Sequence, residues 1–260
     1  MAKAKYSCEG GVAWITLSDP ATLNAADEAM VNDLSAAFER AAGEARCAVL
    51  TGEGRGFCSG ANLNAGDRAV DSEGRIDAGD RLERFYNPFV LKLRALPIPI
   101  VTAVNGVAAG IGCSFALMGD LVIAGESAYF LQAFRRIGLV PDGGSTFLLP
   151  RLIGRARAME MMLLGEKLPA AKALEWGLIN RCVPDAALTN TAMAAARELA
   201  DGPTRALGLI RKLAWSSLDN ELEAQLDAER KAQREAGHSS DFVEGVSAFL
   251  QKRPAKFTGA

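Results

Sequence analysis

Twice in this chain a short apolar run breaks into a glycine-rich turn. Cys47-Ala-Val-Leu-Thr51 leads into Gly52-Glu-Gly-Arg-Gly-Phe-Cys-Ser-Gly60, and Ile100-Val-Thr-Ala-Val104 into Asn105-Gly-Val-Ala-Ala-Gly-Ile-Gly112. Runs this short, without helical spacing, read as buried strands, and the chain must supply layers to cover them. Gly11-Val-Ala-Trp-Ile-Thr-Leu17 reads as another strand, stopped by Ser18-Asp-Pro20. Asp27 is a candidate N-cap for a helix carrying Met30, Leu34, Ala37, Phe38 and Ala41 and ending near Gly43. A second helix runs from about Arg81 to Leu96, closed by Pro97 and Pro99, and an apolar one follows Gly112 as far as Gly119. Asp120–Ala124, Ser127–Leu131 and Ile179–Val183 complete the strands, while residues 64–80, rich in Asp, Gly and Arg, predict a mobile surface loop. Strands and helices alternate to about residue 185, and a tail without strand signal follows. The pattern is α/β with a C-terminal helical region, divided here as 1–195 and 196–260.

With 49% hydrophobic residues among 260, such layers can enclose a large core. The formal charge of −2 gives no global field for nucleic acid or an anionic membrane. Five scattered cysteines without a CxxC pair predict reduced thiols, neither a disulfide framework nor a metal site. The N-terminal stretch shows no signal peptide and no run spans a bilayer, so a cytoplasmic protein is expected. The single histidine, His238, lies in the helical tail and is expected to be structural or exposed, which leaves a Ser-His-Asp triad without its base.

Neither glycine-rich segment has the spacing of a dinucleotide or P-loop phosphate cradle. Two readings stay open. Both segments are ordinary turns, or each aims one backbone N–H at the same oxygen, as an oxyanion hole for a thioester enolate requires.

The motifs then carry a resemblance. Phe57-Cys-Ser-Gly-Ala-Asn-Leu63, Ala103-Val-Asn-Gly-Val-Ala-Ala-Gly-Ile-Gly-Cys113, Arg136-Ile-Gly-Leu-Val-Pro-Asp-Gly-Gly-Ser-Thr146 and Ala173-Leu-Glu-Trp-Gly-Leu-Ile-Asn-Arg-Cys-Val183 follow one another in order. Together they resemble the signatures of the crotonase (enoyl-CoA hydratase/isomerase) superfamily from about Leu23 onward. The resemblance implies a ClpP/crotonase-like spiral of ββα units over 1–195, a trimerisation region over 196–260, and a homotrimer or dimer of trimers. It implies an acyl-CoA thioester as substrate, with coenzyme A part of the substrate and no other cofactor; the scattered cysteines, the balanced charge and the lack of a long apolar run predict no metal, no nucleic acid and no membrane. Carried over by position, the oxyanion donors are the backbone N–H groups of Ala61 and Ile111. Leu23, Ala25, Asn62 and Leu63 line the coenzyme, and Lys252 reaches a coenzyme phosphate on a neighbouring subunit.

Hydratases of this superfamily carry two glutamates, for water activation and for protonation. Here Ser114 and Phe134 stand at those positions. Asp142, eight residues beyond Phe134, matches the working aspartate of isomerases in the superfamily. The implied function is therefore acyl-CoA isomerisation by Asp142, with Ser114, Phe134 and Tyr86 in the substrate pocket. Within the superfamily the likeness is nearest to the 1,2-epoxyphenylacetyl-CoA isomerases of phenylacetate breakdown, with Δ3,Δ2-enoyl-CoA isomerisation not separable from it. Arg135 and Arg136 are expected to be surface or interface charges. The rivals are an enoyl-CoA hydratase, a dehalogenase-type hydrolase lacking its activating histidine, and a non-catalytic acyl-CoA- or RNA-binding member of the fold.

Overall fold

A computed structural model of the chain describes residues 2–64 and 69–260. Residues 65–68 of the predicted 64–80 loop therefore lie outside the described residues. β1 (Ala4–Glu9) and β2 (Val12–Leu17) form an antiparallel hairpin at one edge of a six-stranded sheet. Sequence reading misses β1 because it is mostly exposed and shows little apolar alternation. α1 (Glu28–Glu44) follows, and the Asp27 carboxylate accepts the Met30 N–H at 2.9 Å, the expected N-cap. Asp27→Ala removes that acceptor and is expected to cost about 1 kcal/mol of stability in a denaturant melt.

Three ββα units then wind in sequence. β3 (Cys47–Gly52), β4 (Gly56–Cys58) and α2 (Asn87–Ala95) form the first; β5 (Ile100–Val104), β6 (Val107–Ala109) and α3 (Ile111–Leu117) the second. β7 (Leu121–Gly125), β8 (Tyr129–Leu131) and α4 (Ser145–Leu164) form the third. The first strand of each unit enters the six-stranded sheet and the second enters a separate four-stranded sheet, parallel to its counterparts. This winding is the spiral of ββα units that the resemblance implies. β4 and β6 sit inside the two glycine-rich segments, where three-residue strands leave no period to read.

β9 (Leu168–Pro169) closes the small sheet, α5 (Ala170–Trp176) follows, and β10 (Arg181–Val183) closes the large one. α6 (Leu188–Ala200) covers the outer face of the large sheet, where Leu188, Ala192, Ala195, Ala196 and Ala200 pack on Val12, Val49, Val101 and Ile123. Leu50, Ala48 and Val104 point the other way into the main core. The large sheet is thus apolar on both faces, which is why its strands read as continuous apolar runs. The expected division at 195/196 lies within α6, a single helix that packs on the sheet as far as Ala200.

α7 (Thr204–Ser216), α8 (Leu222–Gly237) and α9 (Ser240–Leu250) complete the chain. Arg211, 5% exposed, bolts α7 to the core by pairing with Asp120 at 2.7 Å and donating to the carbonyls of Leu93, Arg94 and Leu96. Among the described residues no helix is long and apolar enough to cross a membrane.

Candidate active site

The two glycine segments divide into different tasks. Gly106 and Gly112 face neighbouring backbone: a Cβ on Gly112 would lie 2.7 Å from the Cys58 Cβ, and one on Gly106 would strike the Arg55 carbonyl. They serve strand packing. Gly60 and Gly110 differ, because both hold left-handed backbone at φ 110° and 51°, which L side chains resist. They also meet each other, since a Cβ on Gly60 would lie 3.1 Å from the Ala109 carbonyl oxygen. Each is followed by one of the expected donors. Among the described residues, neither the Ala61 N–H nor the Ile111 N–H donates to a backbone carbonyl, although the Gly60 carbonyl and the Asn62 N–H both bond to Ala26. Ile111 opens α3, where the first N–H groups have no helical acceptor.

Phe134, 9% exposed, covers this junction; a Cβ on Gly110 would lie 3.5 Å from its ring. On the other side stands the turn Pro141-Asp-Gly-Gly144. Gly143 and Gly144 are both left-handed, at φ 56° and 83°, and the Ser145 N–H closes the turn on the Asp142 carbonyl at 3.0 Å. A Cβ on Gly143 would lie 2.8 Å from Ser114 Oγ and strike the Ile111 side chain. The aspartate turn therefore rests directly on the start of α3.

Asp142 Oδ1 is buried and has no hydrogen-bond partner among the described residues. Burial pushes its pKa from 3.8 up to about 7, and among the described residues no neighbouring charge contributes. A carboxyl poised there is populated in both protonation states near neutrality, so it can take a proton and return it. Ser114, fully buried, donates to the Asp142 carbonyl oxygen at 3.1 Å and meets Ser145 Oγ at 2.9 Å.

The other expected residues are distributed more widely. Tyr86 is buried beside Phe85 and Phe115, and its hydroxyl donates to the Ala26 carbonyl at 2.7 Å. Its phenol is held far above the usual range, chiefly by burial and then by Cys58, with a smaller push from Asp142. It sits at the end of a π-helical turn, Leu82–Tyr86, where the Asn87 N–H reaches back to Leu82 and Pro88 has no N–H to continue an α-helical ladder. That turn takes the place of the first half of the helix expected over Arg81–Leu96.

Leu23 is left-handed at φ 54° and packs near Gly56 and Val107, Ala25 is buried, and Leu63 is 59% exposed. Asn62 accepts from the Asn64 N–H at 3.1 Å through its side chain and from Arg81 at 2.8 Å through its carbonyl. Leu23 and Ala25 thus flank the Gly60 elbow, with Asn62 and Leu63 beyond it. Lys252 is not among this group: it is exposed, left-handed at φ 54°, just beyond the C-terminus of α9. Arg135 and Arg136 donate to the carbonyls of Leu163, Leu164 and Gly165 and so cap the end of α4. His238 is the C-cap of α8.

Sequence reading missed Asn24, which is fully buried, left-handed, and ties the Asp19 N–H to the carbonyls of Glu53 and Gly56. It also missed Gln132 and Ser145, buried polar residues in apolar surroundings whose only signal is that polarity. Among the described residues no three His, Cys, Asp or Glu side chains gather as metal ligands.

The same architecture is found in an enoyl-CoA hydratase from Polaromonas sp. JS666, at a TM-score of 0.89 and 32% identity over 98% of this chain and 99% of that one. The class is that of the crotonase fold. The chain belongs to the enoyl-CoA hydratase/isomerase family, whose pattern matches residues 7–260, and it is an enzyme acting on coenzyme A thioesters. It is 51% identical to the 1,2-epoxyphenylacetyl-CoA isomerase of Escherichia coli K12, over 96% of both chains. It is 47% identical to a Rhodobacter capsulatus protein named "Probable enoyl-CoA hydratase", over 98% of this chain and 97% of the relative.

Proposed function

We propose that the protein is an acyl-CoA isomerase whose single acid/base is Asp142. The observation that carries this reading is the Asp142 carboxyl, raised to about 7 by burial, with a buried Oδ1 that has no hydrogen-bond partner among the described residues. In a 3-enoyl thioester the carboxylate takes a proton from the α-carbon, and the electron pair moves into the thioester as an enolate. The resulting carboxyl returns that proton to the γ-carbon, so the double bond moves by one position and the composition is unchanged. The backbone N–H groups of Ala61 and Ile111 hold the enolate oxygen, where preorganised donors exceed anything water offers. Ile111 and Phe134 narrow and dry the acyl end, while Leu23, Ala25, Asn62 and Leu63 meet the coenzyme. No cofactor is required beyond the coenzyme A of the substrate.

Two acyl groups suit this chemistry, a 3-enoyl chain and the epoxide of dihydrophenylacetyl-CoA, which rearranges to an oxepin. Identity of 51% to an epoxyphenylacetyl-CoA isomerase favours the epoxide. Hydration is the rival activity, favoured by the name of the 47% relative, but it asks for a second carboxylate. Ser114 and Phe134 supply none. Turnover measured on 3-enoyl, 2-enoyl, dienoyl and epoxyphenylacetyl thioesters is expected to show isomerisation well ahead of crotonyl-CoA hydration. Hydration at a comparable rate overturns the isomerase reading.

The reading also assigns α8 and α9 to contacts between copies of the chain. Phe249 is 82% exposed, Leu250 73% and Leu222 72%, more apolar surface than isolated exposed residues present on a monomer. A homotrimer covers it and carries Lys252 towards a neighbour's coenzyme.

A further inference from the structure

Among the described residues no hydrogen-bond partner holds the buried Asp142 Oδ1, so the direction of the carboxyl depends on its backbone. That backbone is held by a chain of buried polar groups that ends on it. Gln132 Nε2 donates to Ser145 Oγ at 3.0 Å. Ser145 Oγ lies 2.9 Å from Ser114 Oγ, and Ser114 Oγ donates to the Asp142 carbonyl oxygen at 3.1 Å. Ser114 has one proton and spends it on Asp142, so the hydroxyl contact must run from Ser145 to Ser114. The donors then point one way, from Gln132 through both serines to the aspartate turn. All three side chains are fully buried.

Their energetics argue against a purely structural purpose. Gln132 Oε1 is buried with no hydrogen-bond partner among the described residues, a desolvation cost that an apolar side chain of the same shape avoids, and the amide also lies against the Cys113 thiol. The amide is therefore an expense that fixes geometry: with Nε2 on one side of Ser145 Oγ, the serine proton has a single direction left. The same turn is clamped from the α3 side, where Ser114 and Ile111 leave Gly143 no room for a Cβ.

We infer that Gln132, Ser145 and Ser114 are positioning residues, a one-way hydrogen-bond chain that locks the Asp142 turn and thereby aims its carboxyl. This rests on the reading of Asp142 as the acid/base and extends it to three residues that touch no reacting atom. Ser114 is then a strut within the protein, not a proton donor facing substrate.

The test compares Ser114→Ala, Ser145→Ala, Gln132→Leu and Asp142→Asn on a 3-enoyl thioester, reading kcat, KM, melting temperature and the pH–rate profile. Misplacing a catalytic group by a fraction of an ångström is expected to lower kcat about tenfold in each serine variant, with KM within about twofold. The acid limb of kcat is expected to move to lower pH in both, because a freed carboxyl samples solvent. Gln132→Leu removes the orphaned oxygen and is expected to melt no lower than wild type while still losing turnover, a separation that packing alone does not produce. Unchanged kcat and acid limb in both serine variants, with Asp142→Asn inactive, overturn the positioning chain and leave the acid/base assignment intact. An active Asp142→Asn overturns the assignment itself.

Discussion

Asp142→Asn is expected to lower kcat for isomerisation at least about 100-fold, because a general base in direct contact with the moving proton contributes roughly 10²–10⁴-fold. The amide keeps the shape of the carboxyl, so the turn closed by the Ser145 N–H and the strut from Ser114 both survive. Neither bond involves the Asp142 side chain. Coenzyme A affinity, measured by calorimetry, should therefore stay within about threefold of wild type, since the groups proposed to hold the coenzyme lie on another segment. The pairing of results is what discriminates. A base that acts only in the transition state changes kcat and kcat/KM alike and leaves ground-state binding alone. Retention of more than about a tenth of wild-type turnover excludes Asp142 as the sole acid/base and requires a second group. A parallel loss of coenzyme binding makes it a binding residue instead.

How much of this was legible in the sequence depends on which physical signal each residue leaves. β3 and β5 were readable because their residues are apolar towards both the main core and α6. β4 and β6 were not, since three residues carry no periodicity and the glycines beside them suggest only turns. β1 gave no signal because an exposed edge strand has no buried face to pattern. The helical tail was readable as helix, but the packing of α6 on the sheet was not, because Ala196 and Ala200 look the same to composition whether they pack on a sheet or face water. Asp142 came into view through its motif and through the absence of two glutamates, not through any local property; Pro-Asp-Gly by itself is a common turn. What no sequence pattern could supply is an Oδ1 without a hydrogen-bond partner among the described residues, or the route from Gln132 through Ser145 and Ser114 to the Asp142 carbonyl oxygen. Those residues are separated along the chain and meet only because β8, α3 and the start of α4 converge.

Wild type is expected to lose stability relative to Asp142→Asn as pH rises from 5 to 8. The cause is the difference between a folded pKa of about 7 and an ordinary value of 3.8. Below 3.8 the carboxyl is neutral in both folded and unfolded chains and contributes nothing. Between the two values the unfolded chain gives up its proton while the folded chain keeps it, so unfolding gains ground with every step in pH. Above about 7 the folded protein holds a desolvated carboxylate and the penalty is complete. Its ceiling is on the order of 4 kcal/mol, trimmed by whatever water reaches the open flank of the turn. Other carboxylates do not imitate this difference. Glu244, held down to about 2 by Arg253, loses its stabilising ionisation only as pH falls below that of an ordinary glutamate, outside the window. Asp120 is raised by burial against the pull of Arg211, but it is present in both proteins and cancels in the comparison. Thermal melts of the pair across that range should therefore show part of the penalty already present at pH 5 and a gap that widens to pH 8, where the asparagine variant is the more stable. A gap that stays constant with pH would show that Asp142 is not desolvated in the folded protein. A gap that widens as predicted measures what the fold gives up to keep this carboxyl poised between its two protonation states, which is what an enzyme moving one proton between two carbons requires.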